Sequence, residues 1–253
     1  MAELIHRYAP NVYNYRDIFL KCIEATGQMF FIAGALILFI GGTFGVILTI
    51  TGEKGIHPAK SVHLVFEVVT NIFRSIPFII LLIFLIPLTR LITGTAIGVK
   101  GAIVPLVFGA VPFFTRQMES ALAGVDPGKI EAARSMGSST VGIIFRVYLK
   151  EAVPSIIRAI TITAISLIGM TASAGAVGAG GIGSFAINYG QNLHNQDVVN
   201  VCVLLLLVVI SLIQFIGNFL ARATTNRKLL TRVPSLPTGA ELQKTQKPLE
   251  QTT

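Results

Sequence analysis

Gly178, Gly180 and Gly183 stand at the spacing of a dinucleotide-binding fingerprint; His6, His57, His63 and His194, with Cys22 and Cys202, offer metal-ligating atoms; and Glu67 and Arg74 place charge inside an apolar run. Each pattern implies a chemistry that its setting withholds. A phosphate-cradling GxGxxG must leave a strand and enter a helix, whereas these glycines follow the apolar, hydroxyl-rich stretch 156–174. The histidines are scattered without ligand spacing, and the cysteines lie in or beside apolar stretches, where a thiol packs as a small hydrophobe. No metal site and no disulfide framework are expected. The chain carries no HExxH, GxSxG or Walker lysine motif, so any hydrolysis has to occur on another chain. What remains is the chemistry of solvation, recognition and movement.

The elements that would position such residues are set by the solvent the chain needs. With 53% hydrophobic and 13% charged residues and a mean hydropathy of +0.73, it is too apolar for an ordinary water-soluble domain. The net charge of +8 carries no basic run interleaved with aromatics, which argues against nucleic acid. The first twenty residues mix Glu3, Arg7, Arg16 and Asp17 among tyrosines and asparagines, unlike a cleavable signal, so the N-terminus is expected to be retained. A bilayer core of about 30 Å takes about 20 apolar helical residues, each closing its own backbone hydrogen bonds.

Five stretches qualify, at about 27–50, 62–88, 97–114, 156–174 and 198–219. The reading is an all-α membrane protein with about five transmembrane helices. In the first span Gly27, Gly34, Gly41 and Gly45 share a face that another helix can approach closely. The second holds Glu67 and Arg74 before Pro77 and Pro87. A charge at bilayer depth costs roughly 2.5–3.5 kcal/mol, so Arg74 should face the bundle, a cavity or the interface. Pro105 and Pro112 interrupt the third span and should bend it.

Basic residues cluster after span one (Lys54, Lys60), between spans three and four (Arg116, Lys129, Arg134, Arg146, Lys150, Arg158) and after span five (Arg222, Arg227, Lys228, Arg232). Basic loops stay cytoplasmic. The expected topology therefore puts segment 1–22 outside, the loop 116–155 inside, and a polar tail, 223–253, in the cytoplasm, disordered beyond about Val233.

The inner loop is the most punctuated part of the chain. Asp126 can cap a helix, Pro127 suits its first position, and Gly137 suits a left-handed stop. Ser138, Ser139 and Thr140 then offer caps for a second helix through Val141 to Leu149. On the first helix Ile130, Ala133 and Gly137 share a face, a small apolar ridge flanked by Lys129, Glu131 and Arg134 that a partner's groove could receive. The expected partner-coupling set is Ile130, Glu131, Ala132, Ala133, Arg134, Met136 and Gly137.

Glu131-Ala132-Ala133 followed by Gly137 resembles the EAA loop of bacterial ABC importer permeases, although that pattern continues to a Leu-Pro where this chain has Leu149-Lys150. The runs Asn71-Ile72-Phe73-Arg74-Ser75-Ile76-Pro77, Ala102-Ile103-Val104-Pro105-Leu106 and Gly175 to Gly183 resemble the methionine importer permeases, over roughly Glu24 to Arg222. The resemblance implies a type I ABC importer fold and a homodimer in the bacterial inner membrane. It also implies two ATPase subunits, which bind ATP and Mg²⁺ where this chain binds no cofactor, and an extracytoplasmic binding protein or lipoprotein delivering L-methionine, with D-methionine also a candidate cargo. Met170, Thr171 and Ser173, beside the Gly-rich turn after span four, are the expected translocation path, and the turn itself a flexible part of an outer gate. Two other classes fit less well. An ion-coupled transporter or channel needs ionisable groups at the midplane, yet Glu24, Glu67 and Arg74 all lie toward span ends, and no nucleophile and base pair supports an intramembrane enzyme.

Overall fold

Apolar runs of this length can satisfy their backbone groups in lipid only by coiling. The computed structural model of the chain describes residues 10–53 and 55–230, and its regular structure there is helical throughout. In chain order the helices are α1 (Pro10–Asn14), α2 (Arg16–Thr51), α3 (Lys60–Ser75), α4 (Phe78–Phe84), α5 (Ile86–Thr93), α6 (Gly98–Ala123), α7 (Pro127–Ser135), α8 (Thr140–Ile143), α9 (Leu149–Gly175), α10 (Gly181–Phe185) and α11 (Gln196–Leu230). Single π-helical turns, Ile144–Tyr148 and Ala186–Gln191, follow α8 and α10. His6, and the tail expected to be disordered beyond Val233, lie outside the described residues.

Four helical stretches are long and apolar enough to cross a bilayer: Arg16–Thr51, Gly98–Ala123, Thr140–Gly175 and Gln196–Thr225. The expected second span, 62–88, is not one rod. Pro77 lacks an amide donor and pushes Ile76 into extended backbone (φ −86°, ψ 123°), so α3 stops and α4 leaves at a 103° bend. Arg74, in the last turn of α3, is exposed beside that break. Pro105 and Pro112, by contrast, sit buried in the middle of α6, which runs through both.

Other boundaries also move. The last helix continues to Leu230, past the expected end at 219, and the first begins at Arg16, well before residue 27. The second helix of the inner loop is not separate, because nothing after the Ser139 cap stops it: α8 passes through its π turn directly into α9. The connection between the third and fourth spans is thereby reduced to residues 124–139 around α7.

α2 and α6 form the most intimate pair. A Cβ on Gly45 would fall 2.5 Å from Met118 Cβ, and one on Gly41 3.0 Å from the Phe114 ring, while Gly34 meets Leu167 of α9 and Gly27 faces open space. The glycine stripe thus serves two neighbours in its inner part and none at Gly27. Around this contact Met29, Ile37, Leu106, Phe114, Leu122 and Leu167 form the main core. Along α11, Leu204, Leu207, Phe215 and Phe219 point outward and remain 60–71% exposed, a surface that only lipid or another apolar partner can solvate.

Candidate coupling surface and translocation path

The expected punctuation of α7 is present. The Asp126 side chain accepts a hydrogen bond from Gly128 N at 2.9 Å, and Pro127 takes the first helical position. The helix closes by two bonds, Gly137 N to Arg134 O at 3.0 Å and Ser138 N to Ala133 O at 3.1 Å, with Gly137 at φ +75°. This is the glycine-terminated stop in which only a residue without a Cβ is relaxed.

Which face the helix presents differs from the sequence reading. Ala133 is 5% exposed and belongs to the main core with Ile56, Ile143 and Tyr148, while Ile130 packs against that core half-buried. The apolar ridge therefore seats α7 on its own subunit. Glu131, Ala132, Arg134, Ser135, Met136 and Gly137 are exposed. The structure also exposes two apolar side chains that sequence reasoning missed, Val141 (63% exposed) and Phe145 (66%), four residues apart beyond the stop, as it does Met136 at 77%. Their signal was only partial, since Val141 and Phe145 stand four apart in a segment already read as helical, but Ile143, Ile144 and Val147 of the same segment are apolar as well and pack inward. Lys129 Nζ reaches Glu151 Oε2 at 2.8 Å, tying α7 to α9. Behind α7 lies a cleft of about 690 Å³ lined by Leu48, Glu53, His63, Glu119, Glu131 and Tyr148.

The expected path residues are not brought together. Thr171 is 1% exposed and its hydroxyl donates to Ile168 O at 2.8 Å; Met170 packs half-buried on the main core. Ser173 faces elsewhere, its hydroxyl donating to Gly169 O at 3.1 Å, and a Cβ on Gly169 would meet nothing within 4 Å. The open side of α9 therefore carries Ser173 and Gly169, together with Ile162, whereas Thr171 is packing.

The Gly-rich stretch is closely packed, not a loose turn. Thr26 Oγ1 of α2 accepts a hydrogen bond from Ile182 N at 2.9 Å, and Gly98 N donates to Gly178 O at 3.0 Å. Gly178, Gly180 and Gly181 hold φ of +88°, +80° and +79°. They join two helices, with no strand among the described residues, so the GxGxxG spacing has no nucleotide-binding context.

Sequence reasoning gave the N-terminal arm no role, and the structure supplies one. Asp197, in the first turn of α11, accepts from Asn11 N and Asn11 Nδ2, each at 3.0 Å. Val12, Ile182, Phe185, Val198 and Cys202 form a second small core, with the Tyr15–Tyr189 and Phe19–Phe185 rings 4.8 and 5.1 Å apart. Replacing Asp197 by Ala, which removes the acceptor of both bonds, should cost about 1–3 kcal/mol, as for lost hydrogen bonds to a charged group. A melting curve of the detergent-solubilised protein checks this; an unchanged midpoint would remove the clasp from the account.

Comparison with known proteins places these features. Residues 41–228 match the family described as binding-protein-dependent transport system inner membrane component. The chain is 42% identical over 211 residues to the probable D-methionine transport system permease protein MetI of Vibrio cholerae, covering 83% of this chain and 94% of that protein. It is 44% identical over 181 residues to the methionine import system permease protein MetP of Bacillus subtilis, covering 72% and 82%. Among solved structures it is similar to a chain of the MetNI methionine ABC transporter in inward-facing conformations, with a TM-score of 0.81, 42% identity, and 83% and 98% of the two chains covered.

Proposed function

The chain belongs to the family of binding-protein-dependent transport system inner membrane components, and from that premise we propose that it is the permease subunit of an ATP-driven importer of methionine. It is a multi-pass protein of the bacterial inner membrane and performs no hydrolysis itself. Two copies form the translocation path, two ATPase subunits bind ATP and Mg²⁺ below them, and an extracytoplasmic binding protein delivers the amino acid from above. The observation that carries the reading is identity of 42–44% to two methionine permeases over most of each chain.

The basic residues between the third and fourth spans put α7 on the cytoplasmic side, with α1 outside and the end of α11 inside. There the exposed face of α7, from Glu131 to Gly137, together with Val141 and Phe145, is the handle gripped by the ATPase. Ile130 and Ala133 fix the handle to the permease instead of touching the partner. Closure of the ATPase pair on nucleotide draws the handles together and shifts the bundle between inward-open and outward-open states, each state favoured by the ligand that binds it better.

The complete transporter in proteoliposomes should take up radiolabelled L-methionine only with ATP and Mg²⁺ enclosed in the lumen and binding protein outside, and unlabelled D-methionine in competition reports the stereochemical range. Uptake that persists without nucleotide, driven by an ion gradient, would refute the reading. On the path, Ser173→Phe fills the open side of α9 and should lower uptake by about tenfold, with the ATPase still copurifying. Thr171→Ser should leave transport near the parent level, since that hydroxyl bonds its own helix.

A further inference from the structure

The handle is fastened to more than the two spans it joins in sequence. The connection from α2 to α3 packs beneath α7 at Ile56. Arg134 donates to the backbone carbonyl of Ile56, His57 Nε2 and Thr140 Oγ1 share a hydrogen bond at 2.7 Å, and the Ile56 side chain is 4% exposed in one core with Ala133 and Ile143. Three attachments thus bind this connection to the segment that meets the ATPase.

Beyond the connection, α3 is tied through its middle to α6 by one guanidinium. Arg116 of α6 donates through Nη2 to Glu67 Oε1 and Asn71 Oδ1, both at 3.1 Å, and through Nη1 to Glu119 Oε2 at 2.7 Å. His63 Nδ1 donates to Leu48 O at 3.1 Å and its Nε2 lies 3.7 Å from Glu67 Oε2. The opposite face of α3 has no such restraint among the described residues: Leu64, Val65 and Ile72 are 54–60% exposed. Its far end is the Pro77 break. A rod tied along one face, by Arg116 at its middle and by the Phe66–Phe44 and Phe73–Phe108 ring contacts, open along the other face and jointed at its far end by an extended residue can tilt as a lever. The 690 Å³ cleft behind α7 leaves the handle room to move against the ends of α2 and α6.

We propose that handle motion is passed to α3 through Ile56 and His57 and steered by Arg116, so that the broken second span is driven separately from the spans flanking the handle. His57 and Arg116 are positioning residues of the coupling cycle. The proposal rests on the reading of α7 as the ATPase handle. Its physical basis is that Arg116 neutralises Glu67 on α3 and Glu119 on α6 together, and without it two carboxylates face each other across the joint.

The test uses the whole transporter in nanodiscs, with Cys22 and Cys202 replaced by serine. Spin labels are placed at Leu64→Cys on α3 or, as a reference, at Ile162→Cys on α9. In the parent, both label pairs across the dimer should change separation between the nucleotide-free state and the state trapped with ATP and vanadate. With Arg116→Ala or His57→Ala, the Leu64 shift should be lost while the Ile162 shift and ATPase copurification persist, and methionine moved per ATP should fall about tenfold. Arg116→Lys, which keeps one charged contact, should restore part of the Leu64 shift, a recovery that mere loss of packing does not predict. Should Arg116→Ala fail to assemble, Glu67→Gln weakens the same joint at constant size and carries the same reading. A Leu64 shift that survives in every assembled variant overturns the proposal. A parent that never retains the ATPase overturns the handle reading instead.

Discussion

Replacing Met136 and Phe145 together by aspartate is expected to strip the ATPase subunit from the purified permease and abolish nucleotide-driven uptake, while leaving the permease itself folded. Both side chains are mostly exposed, at 77% and 66%, so the subunit's own core gains nothing from them. Methionine and phenylalanine are enriched in the buried centres of interfaces and aspartate is depleted there. Burying each contributes about 1.5–3 kcal/mol on docking. Loss of both, with two carboxylates now to be dehydrated, exceeds about 4 kcal/mol, or about a thousandfold in affinity. The ratio of ATPase to permease after affinity purification reads the effect, and an unchanged ratio would remove these residues from the interface. Ala133→Arg supplies the contrast. At 5% exposure and within the core beneath α7, it should destabilise the permease whether or not the ATPase is present.

That contrast marks where the sequence was legible. The bounds of α7 follow from rules acting over a few residues: an aspartate accepting from an amide two positions on, a proline at the first turn, a glycine that alone accepts the left-handed stop. Such signals survive without tertiary knowledge. The side on which α7 rests does not, because Ile130 and Ala133 form the same apolar ridge whether a partner or the subunit's own core receives it, and Ile56 and Tyr148 decide that from distant parts of the chain. Pro77 shows the same limit. It breaks the second span, whereas Pro112 passes unbroken in the buried middle of α6, where it borders a cavity that Phe44 of α2 and Phe73 of α3 also line. Glu67 and Arg116 were each visible as charges at span ends, but pairing them required knowing that α3 and α6 lie side by side.

The Gly-rich stretch after α9 yields the other large expected effect, because there glycine serves proximity as well as freedom. A Cβ on Gly183 would fall 2.0 Å from the carbonyl oxygen of Ala172, and one on Gly175 would fall 2.4 Å from Ser184 N; both obstacles are backbone and cannot turn aside. Gly183→Ala must therefore push α10 off the end of α9, and with it the Ile182 amide off Thr26 and the Phe185 ring off Phe19. Overpacking alone costs about 1–3 kcal/mol, and the amide left without its partner adds about 1–3 kcal/mol, a sum comparable with much of the stability of a typical domain. The variant should fail to accumulate in the membrane, or melt well below the parent in detergent. Gly27→Ala, on the same α2 that receives this hairpin but with nothing within 4 Å of the added carbon, should be neutral or slightly stabilising. If the two substitutions behave alike, the stretch is a loose turn after all, and the clasp that joins α1, α2, α10 and α11 loses its central contact.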